Sequence, residues 1–175
     1  VAVMRGMYSG MLPISAKQVA DGAGYALVGI VLVFFAWLFF AADWTPAERR
    51  RLYAIGALFV ASVIFWSEFE QAGSTLNLFG DRNTRTSVLG WTFPSSYYQS
   101  LQPLFIITFA PVFAWLWVRL RKREPSSPAK FGLGLLFVGA GFAILIVAAR
   151  LSADGVKVSP WWLVATYLLH TWGEL

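Results

Sequence analysis

The stretch Gly22–Ala42, GAGYALVGIVLVFFAWLFFAA, runs for 21 positions without a charged residue. At 1.5 Å per residue such a run spans a hydrocarbon core of roughly 30 Å. Inside that core the backbone amides must be satisfied by the segment itself, so the run is a helix. Working outward, three further apolar runs occupy residues 52–80, 99–118 and 131–149, and a fifth begins at Pro160 and continues to Leu175. The predicted fold class is an all-α integral membrane protein, with four complete transmembrane helices plus the start of a fifth.

Composition agrees. Of the 175 residues 58% are hydrophobic and 13% charged, whereas a soluble domain carries about a quarter of its residues as charges. The net charge of +5 does not point to nucleic acid, because the charges fall in short clusters between the apolar runs. With no cysteine and a single histidine, His170, thiol chemistry and Cys- or multi-His metal sites are excluded. No Ser/His/Asp grouping, HExxH pattern or strand-led glycine loop is present, so an enzyme is not expected, nor is a cofactor.

Residues 1–21 read as a loop following an earlier element. Val1 has no signal-peptide pattern behind it, and Thr171–Leu175 ends without a cap. The expectation is therefore a piece of a longer protein. In the polar hinge Asp43–Arg51, Thr45, Pro46 and Glu48 form a capping-box pattern that starts the next helix.

Loop charges orient the chain. The segments Asp43–Arg51 and Arg119–Lys130 hold eight Lys and Arg: Arg49, Arg50, Arg51, Arg119, Arg121, Lys122, Arg123 and Lys130. The segments Asp81–Tyr98 and Arg150–Ser159 hold four: Arg82, Arg85, Arg150 and Lys157. The positive-inside rule places the first pair in the cytoplasm.

The polar residues within the spans are the candidate site. In the second span Ser67, Glu70, Gln71, Ser74 and Asn77 recur at i, i+3, i+4, i+7 and i+10, one stripe of a continuous helix, with Glu68 about 100° to its side. A carboxylate at the bilayer centre costs at least ~2.5 kcal/mol, so such residues face protein or water and usually mark an ion or substrate path. Hydrogen-bonded glue between helices is the alternative role for Ser67, Ser74, Thr75 and Asn77. Gln99 and Gln102 open the third span on one face, next to Pro103, which removes a backbone donor. The fourth span carries Gly132, Gly134, Gly139 and Gly141, which admit close approach of another helix. In the fifth, Thr166, His170 and Glu174 recur every four residues, and Glu174 lies about 21 Å beyond Pro160. His170 reads as a packed residue.

Three stretches carry a family resemblance. FWSEFEQAGSTLNLF at 65–79 resembles the seventh core helix of the proton-dependent oligopeptide transporters, a branch of the major facilitator superfamily. YQSLQPLFII at 98–107, with Ala110-Pro111, looks like the eighth, and Thr171-Trp172-Gly173-Glu174-Leu175 like the Thr-x-Gly-Glu-Leu core of the tenth. The resemblance implies part of a C-terminal half: residues 22–50 as an inserted linker helix with its cytoplasmic hinge, and 51–175 as a partial helical bundle. It implies import of di- and tripeptides with protons as coupling ion, in a bacterial cytoplasmic (inner) membrane, with an N-terminal half of the same transporter as partner. Carried over by position, Glu174 would pair with the peptide's amino terminus and Glu70 would carry proton coupling. Trp66 would lie near the peptide, and Gln102 stands where the family usually has an Asn contacting the peptide backbone. Glu68, Gln71, Ser74 and Asn77 are supporting polar residues. Competing expectations are a superfamily transporter of another solute and a non-transporting subunit of a membrane complex.

Overall fold

The computed structural model describes residues 15–40 and 43–175; the first 14 residues of the predicted N-terminal loop lie outside them. Contacts divide the chain into two units, Val1–Gly56 and Ala57–Leu175.

In the first unit, helix α1 (Ala16–Phe40) begins six residues before the predicted span, so the loop expected over 1–21 does not reach its stated end. The reason is local. Ser15 and Gln18 form a reciprocal cap, with Ser15 N donating to Gln18 Oε1 at 2.8 Å and Gln18 N to Ser15 Oγ at 3.2 Å. Lys17 and Asp21 pair one turn apart at 2.9 Å. Charge ends an apolar run but not a helix, since charged side chains at the interface are solvated. Helix α2 (Pro46–Phe69) starts within this unit on the predicted capping box: Thr45 N and Thr45 Oγ1 donate to Glu48 Oε2 at 2.9 and 2.6 Å, and Glu48 N donates back to Thr45 Oγ1 at 3.4 Å. Phe39 stacks on Tyr53 at 5.6 Å between ring centroids.

The second unit holds the rest of α2, a 3-10 turn (Glu70–Gly73), α3 (Thr75–Arg82), a two-stranded hairpin of β1 (Ser87–Val88) and β2 (Trp91–Thr92), a 3-10 segment (Ser95–Ser100), α4 (Leu101–Leu120), a short 3-10 turn (Arg121–Arg123), α5 (Ser127–Leu151) and α6 (Trp161–Glu174). Segments 16–40, 46–82, 95–123 and 127–151 are long and apolar enough to cross a membrane. The spans therefore stand in the expected order, with their described ends shifted by a few residues; Ala41 and Ala42, the predicted end of the first, lie outside the described residues. The loop expected over Asp81–Tyr98 is instead mostly structured, with a tight hairpin whose central Leu89 and Gly90 both have positive φ, at 52° and 85°. That is the geometry a two-residue turn needs to follow strand twist.

A further feature of the second unit differs from the expected pattern. The single helix over 52–80 is broken, because Glu70–Gly73 winds as 3-10 and Ser74 has non-helical angles of φ −121° and ψ −86°. Gln71 bridges the break: its Nε2 donates to Ser67 O at 3.2 Å, and its Oε1 accepts from Ser74 Oγ at 3.1 Å and Thr75 Oγ1 at 2.6 Å. The buried Tyr167 hydroxyl donates to Ala72 O at 3.4 Å. Carbonyls released from the α-helical ladder thus keep partners, as a low-dielectric site demands. In α4, Pro103 is the third residue, directly after the 3-10 segment Ser95–Ser100, and Pro111 lies inside the helix, where it removes a backbone donor.

The α5–α6 crossing anchors the unit. A Cβ built on Gly134 would lie 2.6 Å from Gly173 O, and one on Gly173 would lie 2.8 Å from Gly134 O, so the two backbones touch. One heptad on, Gly141 receives the His170 ring, which is 2% exposed and 5.0 Å from Phe142. Gly132 and Gly139 meet nothing within 4 Å, so only two of the four glycines expected to admit a helix do so. Val138, Leu145 and Ala148 lie buried on the same α5 face, and Leu163 and Tyr167 are buried on α6. At the other end of this pair, Arg85 N donates to Val158 O at 2.9 Å and Val158 N to Asn83 O at 2.8 Å, while the Tyr98 hydroxyl donates to Arg85 O at 2.6 Å. These bonds clasp the α5–α6 connection to the hairpin loop.

Candidate functional site

Helix α6 carries Glu174 as its last residue, immediately after the Gly134–Gly173 contact. Because backbone meets backbone there, the main chain from which Glu174 projects is set relative to α5. Trp66 projects from the last turn of α2, edge-on to Phe65 and Phe69 at 5.5 and 5.3 Å between centroids, and Phe65 and Phe69 pack with the buried Val138 of α5. Trp66 and Glu174 line one cavity of about 350 Å³, together with Phe65, Phe113, Trp117, Lys130, Phe137 and Trp172. Two of the predicted site residues therefore share a space walled mainly by aromatic rings. The carboxylate is exposed and makes no ion pair among the described residues.

Gln102 is not part of this cavity; it sits half-buried on the first turn of α4. Glu70 is exposed on the 3-10 turn and Glu68 half-buried at the end of α2, and neither lines the cavity. The stripe expected through Ser67, Glu70, Gln71, Ser74 and Asn77 does not exist as one face, since the 3-10 turn advances about 120° per residue and Ser74 breaks the helix. Gln71, Ser67, Ser74 and Thr75 instead bond to each other across the break. Ser74, Thr75 and Asn77 line a separate shallow depression with Asp81 and Ser95, and Asn77 Oδ1 is buried without a partner among the described residues.

Lys130, Trp117 and Trp172 belong to the site and were not singled out as site residues from the sequence. The Lys130 ammonium lies 4.2 Å from the Trp117 ring centroid and pairs with Glu124, and Trp117 Nε1 donates to Leu175 O at 3.3 Å. Trp172 packs edge-on to Phe109 and Phe137, and its buried Nε1 has no partner among the described residues. Trp172 occupies the variable place of the Thr-x-Gly-Glu motif, which gave no reason to single it out. Lys130 was legible only as one of the loop cations.

The family model PTR2, described as the POT family, matches residues 20–175. The chain belongs to the POT family. It is 40% identical over 179 residues to the peptide transporter YePEPT of Yersinia enterocolitica, covering 100% of this chain and 35% of that protein. It is 34% identical over 156 residues to a di-/tripeptide transporter of Lactococcus lactis, covering 86% of this chain and 31% of that one. A crystal structure of a variant of the peptide transporter POT in complex with alafosfalin matches with a TM-score of 0.84 and 38% identity, over 99% of this chain and 36% of that one. The chain thus spans about a third of the length of these POT-family relatives.

Proposed function

We propose that this chain forms part of a bacterial cytoplasmic-membrane symporter that moves di- and tripeptides with protons by alternating access. The observation that carries this reading is the placement of Glu174 and Trp66 on one aromatic cavity. A peptide is a zwitterion, and its ammonium group needs a carboxylate once water is removed. Aromatic faces add attraction for a cation and a wide apolar surface that accepts many side chains. Glu174 is the peptide-amine ligand in this proposal, Trp66 a wall of the peptide site, and Gln102 a contact to the peptide backbone from α4. The printed names of the relatives, peptide and di-/tripeptide transporters, support the substrate class. The remaining helices of such a transporter, including its other half, would supply a cation for the peptide carboxylate.

Glu70 takes the coupling role. It stands at the first residue of the 3-10 break in the helix that also carries Trp66, so a change in the break alters its surroundings. Gln71 holds that break by hydrogen bonds to Ser67 O and from Ser74 Oγ, and Glu68 and Asn77 are supporting polar groups in this proposal.

The test uses the full-length reading frame containing this chain, reconstituted in liposomes with an imposed inward proton gradient and a labelled dipeptide. Concentrative uptake that collapses with a protonophore is the expected result. No uptake of any di- or tripeptide, with the protein folded in the bilayer, overturns the reading. The Glu70→Gln variant should lose accumulation against a gradient by an order of magnitude or more, while peptide–peptide exchange at equal pH persists, because a proton must be carried only for net concentration. Undiminished accumulation in that variant removes Glu70 from coupling.

A further inference from the structure

The turn that follows α4 is the most cationic surface among the described residues. Arg119, Arg121, Lys122 and Arg123 are all exposed, and none has a carboxylate partner among the described residues. The nearby acid does not neutralise them, because Glu124 is taken by Lys130. The backbone fixes the cluster in a tight form: α4 passes directly into the 3-10 turn Arg121–Arg123, and Arg121 holds a positive φ of 46°. Such a conformation costs a non-glycine residue about 1 kcal/mol or more, so the turn is a defined shape and not an extended tail.

The flank below the turn is apolar and open. Val112, Trp115 and Arg119 recur at i, i+3 and i+7 on one face of α4, with Val112 51% and Trp115 58% exposed. The Arg119 guanidinium lies 5.2 Å from the Trp115 ring centroid, so the cation is held against the ring at the junction of the two surfaces. Arg119 joins the cationic turn to the exposed aliphatic and aromatic surface of its own helix face, and that juxtaposition matches a molecule with an anionic phosphate head and acyl chains. A soluble anion would use only the upper half.

We propose that Arg119, Arg121, Lys122 and Arg123, with Trp115 and Val112 beneath them, bind an anionic phospholipid of the cytoplasmic leaflet through its phosphate headgroup. This rests on the orientation that the loop charges give, and not on peptide as the substrate. Basic clusters just cytoplasmic of a span interact with anionic headgroups in this way, each cation strengthening binding by about fivefold.

The experiment measures lipid retention on the intact full-length transporter by native mass spectrometry, from micelles holding equal amounts of phosphatidylglycerol and phosphatidylcholine. The expected result is retention of phosphatidylglycerol over phosphatidylcholine by at least tenfold. The combined Arg119→Gln, Arg121→Gln, Lys122→Gln and Arg123→Gln variant should bring that ratio close to one, and the variant with Lys at all three arginine positions should keep most of it. Replacing Arg49, Arg50 and Arg51 by Gln should leave the preference in place. Three outcomes overturn the proposal: an unchanged ratio in the four-fold Gln variant, an equal loss in the Arg49–Arg51 variant, which would make it an effect of net charge alone, or displacement of the lipid by millimolar inorganic phosphate, which would make it a soluble-anion site. A thermal melt of each variant in neutral lipid, expected to match wild type, excludes misfolding as the cause of any loss.

Discussion

Replacing Gly134 by valine should destabilise the folded protein by about 3 kcal/mol and abolish transport, whereas Gly139→Ala should leave both near wild type. The difference lies in what each position faces. A Cβ on Gly134 meets a backbone oxygen at 2.6 Å, a separation that real side chains do not reach, and a main-chain carbonyl cannot rotate aside. The α5–α6 crossing must open, and overpacking of this kind costs about 1–3 kcal/mol, with valine at the upper end. Against a total stability of about 5–15 kcal/mol this is a large fraction. Opening the crossing also separates Val138, packed with Phe65 and Phe69, from its neighbours on α6, and moves Glu174, which follows Gly173 directly. Gly139 has nothing within 4 Å, so a methyl there meets open space and gains helix propensity. Thermal unfolding of the two variants in the same detergent, with uptake measured in parallel, checks this. Equal melting of Gly134→Val and wild type would show that the backbone contact does not hold the crossing.

Glu174→Gln should weaken peptide binding by about 30-fold or more with the fold intact. The amide keeps the shape and one acceptor oxygen but removes the negative charge. Truncating one partner of a desolvated, hydrogen-bonded charge pair costs about 2–5 kcal/mol, and each 1.4 kcal/mol is a factor of ten in affinity. The residue is exposed at the end of α6 and has no ion pair among the described residues, so the substitution strips no structural partner. The decisive measurement compares a dipeptide with its analogue lacking the amino group, in wild type and variant. Wild type should discriminate strongly between the two and Glu174→Gln weakly, so that the cycle isolates the amine–carboxylate term. The same discrimination in both proteins would assign the amine to another group.

The amino-acid sequence alone determined the membrane class and the order of the helices. These follow from local quantities. An apolar run such as 22–40 must be helical in hydrocarbon, because no water is present to satisfy its amides. The cap formed by Thr45 and Glu48 was legible for the same reason, since its partners are three residues apart. The family motifs around Trp66, Gln102 and Glu174 were legible as patterns, but not their placement in space.

Tertiary structure decided the rest. Nothing within residues 67–77 shows that the helix breaks at Glu70–Gly73, because one stabilising contact, from Tyr167 to Ala72 O, comes from 95 residues away. The period of the helix could not separate Gly134 and Gly141 from Gly132 and Gly139 either; the backbone of Gly173 and the ring of His170 make that choice. Trp66 and Glu174 line one cavity while Gln102 and Glu70 do not, and Glu174 follows directly on the crossing of α5 and α6, where only glycine fits on both sides. Hydrophobic patterning selects helices that lie in a membrane, but lipid tails are as apolar as leucine and give no preference for one helix face over another. Close packing gives that preference, and it is a property of residue pairs far apart in the chain.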